Sequence, residues 1–334
     1  MEYVPAATLW VLTILRLPAA LDRHRGSVFR ATILAAIACT LYIPAVYYGV
    51  DAMLGGRNRV GLATLVSLLL GFWQFRTAIL LAAVDDVEAR RRQLAFGRWA
   101  AVIACSAVTA GFLASRTPLT DTNLPLSYGD QPGMAVFLWT GSAFIMWICL
   151  DIARVCHKNL PNMRGRAFRS AFALIAIGCI LFALVLLDRL FYGAVTKFDG
   201  AVSPAATVLT FLYWVGETFA VVLVSLGLLL PRLAGHLKHG TFVLRVRLLL
   251  LEIRPIWNRI ASGQRELILE NRRASRLIAL SRHAETQLHR RLVEIRDCEM
   301  ASLATDGRLD AHDRSVVERA ELALERRSSA RLSE

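Results

Sequence analysis

The chain has 334 residues, of which 55% are hydrophobic and 19% are charged, and its formal net charge is +13. Its mean hydropathy of +0.46 is too high for an ordinary soluble domain, which needs a solvated surface. These values exclude a typical soluble enzyme. They favour a membrane protein whose basic residues face anionic lipid over a protein that binds nucleic acid.

The apolar residues occur in runs of about 20, the length that an α-helix needs to cross roughly 30 Å of hydrocarbon. We therefore expect an all-α, polytopic membrane protein with seven transmembrane helices. The predicted spans are residues 4–21, 31–50, 60–84, 99–115, 133–152, 170–187 and 204–230. The seventh span is expected to end at Pro231, because proline cannot donate the helical hydrogen bond.

Lysine and arginine are unevenly divided among the connectors between these spans. The connectors after the first, third and fifth spans hold 3, 4 and 5 of them, whereas the alternate connectors hold 2, 1 and 2. The positive-inside rule then predicts a multi-pass plasma-membrane protein with its N-terminus outside and its C-terminus in the cytoplasm. An odd number of spans agrees with this orientation.

The residues after the seventh span, 231–327, are predicted to form a small helical cytoplasmic domain, and 328–334 are expected to be disordered. Charged residues interrupt the apolar stretch 241–261, which favours a core or interfacial helix over an eighth span. A second helix is expected over 283–304. A third is expected over 310–327, with its first residue, an aspartate, as the N-terminal cap.

Three ionisable residues fall inside predicted spans, where an unpaired charge costs on the order of several kcal/mol. Arg16 is close enough to a span end for its side chain to reach the headgroups. Glu217 and Arg76 lie deeper, roughly 8 Å apart along the membrane normal, a gap that two long side chains can largely close. One interpretation is therefore an ion pair that joins two helices. The other is a proton- or ion-responsive carboxylate in a cavity with four polar neighbours: Gln74, Thr140, Ser142 and Thr218.

The sequence contains no motif of a soluble enzyme class. Its six cysteines include no CxxC pair, and His236 and His239 lack the acidic partner of a zinc-binding HExxH helix. No phosphate-binding glycine loop is found, and the basic tail lacks the interleaved aromatic residues that stack on bases. We therefore expect no enzymatic activity, no metal or other cofactor, and no nucleic-acid partner.

The tail stretch 290–297, RRLVEIRD, resembles the R-R-x-[VI]-E-I-R-D element of a C-terminal domain of unknown function in actinobacterial membrane proteins. The stretch 254–257, RPIW, is similar to an x-Pro-Leu-Trp element of that family. The segment 44–58 is similar to its P-A-V-Y…D…G…N segment. The resemblance covers nearly the whole chain and implies seven spans before the tail domain, in a family commonly labelled as transporters. Ile256 in place of leucine and the residues 298–300 depart from the family pattern.

Two functions remain open. Both assume a protein embedded in the lipid bilayer, which is its expected partner. The first is movement or recognition of an unspecified small solute, with Glu217 and Arg76 as the polar centre. The second is a sensor or signalling scaffold whose tail docks a cytosolic protein through five charged residues: Arg290, Arg291, Glu294, Arg296 and Asp297. The same charges can instead pair as an intramolecular latch. We find no internal repeat of the kind common in transporters, which favours the sensor.

Overall fold

The computed structural model describes residues 3–19, 26–163, 165–199, 203–261, 283–301 and 309–332. The predicted ends of the first span at Leu21 and of the second tail helix at Ala304 lie outside these residues. The side chains of His236 and His239 are likewise outside the described part of the chain.

Every regular element in the described ranges is helical, which confirms the predicted all-α fold for that part of the chain. Two short 3₁₀ turns follow the first and seventh helices. The α-helices are α1 Tyr3–Arg16, α2 Gly26–Leu41, α3 Pro44–Met53, α4 Arg59–Ala83, α5 Val87–Leu113, α6 Leu124–Tyr128, α7 Pro132–Asn159, α8 Arg166–Asp199, α9 Pro204–Ala261, α10 Ala284–Ala301 and α11 Ala311–Leu332.

Five of these helices are long and apolar enough to cross a membrane: α4, α5, α7, α8 and α9. The helices α2 and α3 meet the same criterion together, as one broken span that is bent by 87°. Helix α1 is apolar but has only 14 residues. In the described part of the chain the structure therefore supports five spans, or six with the bent pair, and it does not confirm seven.

The break between α2 and α3 differs from the continuous second span predicted over 31–50. Pro44 is the first residue of α3, and the preceding Ile43 is extended, with φ −66° and ψ 122°. A proline ring disfavours the helical conformation of the residue before it, and proline has no amide hydrogen to continue the helix. Hydropathy does not register this break, because the residues on both sides of it are apolar.

Helix α9 does not end at Pro231, where the sequence predicts the end of the seventh span, because it continues through this residue to Ala261. A proline inside a helix leaves the carbonyl four residues earlier, here that of Gly227, without its usual donor. The Arg16 side chain donates a hydrogen bond to the neighbouring carbonyl of Leu228. Donors of this kind allow proline to be tolerated within an apolar helix.

Contacts divide the chain into two compact units, Met1–Arg232 and Leu233–Glu334, with a boundary two residues beyond the predicted one. The core of the first unit is formed mainly by α2, α4, α5, α7 and α8. The core of the second unit is formed by the last part of α9 with α10 and α11, around Ile253, Leu288 and Val317.

The last helix is capped as predicted, because the Asp310 side chain accepts a hydrogen bond from the Asp313 amide at 2.7 Å. Helix α11 then continues to Leu332, beyond the end predicted at residue 327. Hydropathy gave no reason to extend the helix, since these residues have no apolar periodicity.

A buried polar cluster ties the loop before α4 to the loop before α6. The Asp51 carboxylate is fully buried, and it accepts hydrogen bonds from the amides of Asn58 and Val60 at 2.9 and 3.2 Å and from the Thr120 hydroxyl at 2.6 Å. Asn58 adopts a left-handed conformation, and its side chain accepts a hydrogen bond from the Tyr47 hydroxyl at 3.0 Å. This cluster links α3 to the start of α4 and to the loop before α6, and it gives the Tyr, Asp and Asn of the 44–58 segment a shared structural role.

Two glycines allow α8 and α9 to approach each other closely. A Cβ atom on Gly227 would lie 2.8 Å from the carbonyl oxygen of Ala171, and one on Gly178 would lie 3.1 Å from that of Ala220. Larger residues at these positions would push the two helices apart. The close approach holds the α9 face that carries Glu217 beside α2 and α4.

We predict that Asp51→Ala lowers the free energy of unfolding by about 3 kcal/mol, because three buried donors lose their acceptor. The measurement is denaturant unfolding of the purified chain in detergent. Asp85→Ala is the matched control, because it removes an exposed carboxylate from a different loop. The control should unfold like the wild type, and equal unfolding of the two variants would show that the cluster contributes nothing to stability.

Candidate functional site

The central candidate residue is Glu217, on the inner face of α9. It lines two cavities, of about 110 and about 220 Å³, that also share Cys39 of α2 and Leu68 of α4. The smaller cavity is walled almost entirely by apolar residues, whereas the larger one includes hydroxyl and guanidinium groups. Glu217 is therefore an acidic group at the junction of a polar and an apolar cavity.

The Glu217 carboxylate has few polar partners. The Tyr213 hydroxyl lies within hydrogen-bonding reach of this carboxylate and of Tyr42. The second carboxylate oxygen, Oε2, is buried and accepts no hydrogen bond from the described residues. A buried oxygen in this state is costly unless water, an ion or a ligand satisfies it. The site therefore has an unused acceptor that points to a missing partner.

The larger cavity reaches from Glu217 to the Asp51 cluster. Its wall includes Tyr47 of that cluster and Arg189 of α8. The Arg189 guanidinium lies 4.8 Å from the ring centre of Tyr213 and 4.9 Å from that of Tyr192. Arg189 thus adds a positive potential near Glu217, while aromatic rings hold its guanidinium.

Arg76 is paired with Asp151 rather than with Glu217, so the ion pair considered from the sequence is not formed among the described residues. The Arg76 Nε donates to Asp151 Oδ2 at 2.7 Å, and Nη1 donates to the carbonyl of Gln93 at 3.0 Å. The guanidinium lies 5.0 Å from the ring centre of Trp147, and Arg76 is 4% exposed. Arg76 therefore joins α4, α5 and α7 as a structural contact.

Sequence reasoning missed Asp151 because it falls at the predicted end of the fifth span, where a polar residue is ordinary. Helix α7 continues to Asn159, so Asp151 lies well inside the helix and opposite Arg76. Gly97 makes room for this pair, because a Cβ atom there would overlap Arg76 Nη1. The charge of Asp151 was visible in the sequence, but the length of the helix was not.

The other polar residues predicted around Glu217 are not gathered there. Gln74 and Ser142 line neither cavity, although Gln74 Oε1 is buried without a partner among the described residues. Thr218 donates to a carbonyl of its own helix at 2.8 Å. Thr140 lines a separate cleft between α5 and α7. The polar and aromatic residues that line the cavities with Glu217 instead include Thr64, Ser225, Tyr213 and Arg189.

Residues of the charged stretch 290–297 form hydrogen bonds and ring contacts within the second unit. Glu294 accepts hydrogen bonds from Trp257 Nε1 at 2.7 Å and from Arg290 Nε at 3.1 Å. Arg291 is 2% exposed, and its guanidinium lies 5.0 Å from the ring centre of Trp257. These contacts hold α10 against the last part of α9.

Arg296 connects α10 to α11 through two carboxylates. Its Nε and Nη2 donate to the two oxygens of Glu321 at 2.8 and 2.9 Å, and its Nη1 donates to Glu299 at 2.9 Å. The hydrogen bonds that Arg296 donates to Glu321 and then to Glu299 raise the pKa of Arg296 above its ordinary value, so it stays charged. Asp297 is the exposed member of the five charged residues. The contacts favour an intramolecular latch, and docking of a partner stays a prediction.

We predict that Asp151→Ala lowers the free energy of unfolding by about 3 kcal/mol, because it leaves the buried Arg76 guanidinium without its carboxylate. Denaturant unfolding of the purified chain measures the change. The control is Arg92→Gln, which breaks an exposed pair with a 3.8 Å separation from Glu88. The control should stay within about 0.5 kcal/mol of the wild type. A similar loss in both variants would contradict the structural role of the Arg76–Asp151 pair.

We predict that Arg296→Gln speeds amide hydrogen exchange in α10 and α11 of the full chain, because the two hydrogen bonds from the guanidinium to Glu321 are lost. The stability loss should be only about 1 kcal/mol, since the pair is partly exposed. Arg314→Gln is the control, because its nearest carboxylate oxygen on Glu299 is 4.0 Å away. Unchanged amide hydrogen exchange in the Arg296 variant would show that the Arg296–Glu321 hydrogen bonds do not hold the two helices together.

Similarity to known proteins does not constrain the function of this chain. No family model, no curated protein and no solved structure matches it. The actinobacterial family suggested by the 290–297 stretch therefore stays a prediction. The functional argument rests on the contacts and cavities described above.

Proposed function

We propose that this chain is a multi-pass membrane protein that binds and moves a small solute through a site at Glu217. The proposed seven spans are α1, the bent α2–α3 pair, α4, α5, α7, α8 and the first part of α9. The proposed orientation has the N-terminus outside and the C-terminus in the cytoplasm, as the loop charges indicate.

One observation carries the proposal: the buried Oε2 of Glu217 has no donor among the described residues, at the junction of two cavities. A purely structural acid in an apolar bundle would be expected to pair fully, as Asp151 pairs with Arg76. A ligand that donates to Oε2 would supply the missing interaction. The unsatisfied oxygen therefore supports binding at Glu217.

The walls around Glu217 favour a small organic cation as the solute. Tyr42, Tyr213 and Trp214 line the larger cavity, and the ring centres of Tyr42 and Trp214 are 6.2 Å apart. A carboxylate beside aromatic rings attracts an ammonium group both by charge and through the ring quadrupoles. The ammonium can also donate the hydrogen bond that Glu217 Oε2 lacks.

A sensor that binds the same solute without moving it is the second candidate. The length of helix α9 supports this alternative, because the same helix carries Glu217 and contributes to the core of the second unit. In that case α10, whose exposed residues include Asp297, is the proposed docking element for a cytosolic partner. Binding without uptake is the result that separates the sensor from the transporter.

We predict that small alkylammonium ions that keep an N–H donor, from methylammonium to triethylammonium, stabilise the purified chain and enter liposomes that contain it. Glu217→Gln should weaken binding at least tenfold, because the ion loses its carboxylate, whereas unfolding without ligand should change little. Thermal unfolding measures binding, and radiolabelled uptake measures transport. Glu252→Gln, which removes an exposed acid of the second unit, is the control and should behave like the wild type.

Cys39 gives an independent readout, because its side chain lines both cavities beside Glu217. A cationic methanethiosulfonate should label Cys39 in the wild type, alkylammonium ions should slow the labelling, and Cys39→Ala should remove the labelled peptide. Binding without uptake would support the sensor. Failure of every alkylammonium ion to bind, or uptake that persists in Glu217→Gln, would contradict the proposed site.

A further inference from the structure

A third cleft lies in the first unit, where the last turns of α1 and α4 come together with the start of α8. It has a volume of about 690 Å³ and is also lined by α2 and α9. Apart from Ser27 and two arginines, Arg16 and Arg232, its lining residues are apolar or proline. Glu217 does not line this cleft, and Leu228 is the one residue among its described lining that also lines a cavity at Glu217.

The two arginines connect α1 and α9 by reciprocal hydrogen bonds. Arg16 donates to the carbonyl of Leu228 on α9, and Arg232 donates to the carbonyl of Leu15 on α1. An arginine has five N–H donors, so each side chain keeps others for a further partner. The Nε of Arg16 is buried and has no acceptor among the described residues.

The charges in this cleft are unbalanced. Arg16 and Arg232 are close enough for their positive charges to repel each other. None of the described residues that line the cleft is acidic. An anion between the two guanidinium groups would remove the repulsion and accept the unused N–H donors.

We propose that this cleft binds an anionic phospholipid, with the lipid phosphate between Arg16 and Arg232 and an acyl chain along the apolar wall. Ile79, Leu81 and Phe172 belong to that wall. Their apolar surfaces fit a hydrocarbon chain and offer nothing to a free phosphate ion.

The position of the two arginines along the chain also fits a lipid headgroup. Arg16 is the last residue of α1, and Arg232 lies two residues beyond the end of the seventh predicted span. Arginines at such positions reach the headgroup level of a bilayer. The Arg-rich connectors belong to the same end of the predicted spans, which faces anionic lipid under the positive-inside rule.

The test is native mass spectrometry and thermal unfolding of the full chain in detergent with added lipid. Phosphatidylglycerol is expected to bind and to raise the unfolding temperature more than phosphatidylcholine with the same acyl chains. The double variant Arg16→Gln/Arg232→Gln should weaken phosphatidylglycerol binding at least tenfold, because two charged donors to the phosphate are lost. Arg98→Gln removes one exposed arginine outside the cleft and should bind like the wild type.

A second variant distinguishes loss of the lipid site from misfolding of the double variant. Ala82→Trp keeps both arginines and fills the cleft from its exposed wall, so it should also weaken phosphatidylglycerol binding. Inorganic phosphate is the probe for a free-anion site. Equal protection by inorganic phosphate, equal binding of the two lipids, or unchanged lipid binding in both cleft variants would overturn the proposal.

Discussion

An apolar helical bundle leaves no water to satisfy a buried polar group, so each such group needs a partner from the protein or from a ligand. Asp51 meets this requirement with three hydrogen bonds, and Arg76 meets it with Asp151 and a carbonyl. Both residues join segments that are distant in the sequence. The satisfied polar groups therefore fix how the helices of the first unit are arranged.

Glu217 departs from this rule within the same unit. Its Oε2 is unsatisfied among the described residues, although Arg189 is close enough to influence it. The guanidinium of Arg189 is stacked over Tyr213 and Tyr192 instead. A charge that is held by aromatic rings leaves the carboxylate free for another cation. The difference between Arg76 and Glu217 is thus one of available partners rather than of depth.

The sequence predicts the helices well and their partners poorly, for physical reasons. The third span predicted at 60–84 nearly coincides with α4, because apolar length alone determines it. Asp151 was overlooked because hydropathy marks where an apolar run ends and not where a helix ends. The break at Pro44 depends on local backbone sterics, which a hydropathy average does not contain. Glu217 was found from the sequence because a lone acid in a long apolar run is costly wherever it points.

Arg16 illustrates how the same constraint works at the end of a helix. From the sequence it is a residue that reaches the headgroups, and its hydrogen bond to the Leu228 carbonyl gives it a second role beside Pro231. That bond uses one donor and leaves the buried Nε without an acceptor. The Arg232 side chain cannot accept a hydrogen bond from Arg16 Nε, because a guanidinium cation has only donors. The remaining requirement is for an anion with an apolar body, which is the chemistry of an acidic lipid.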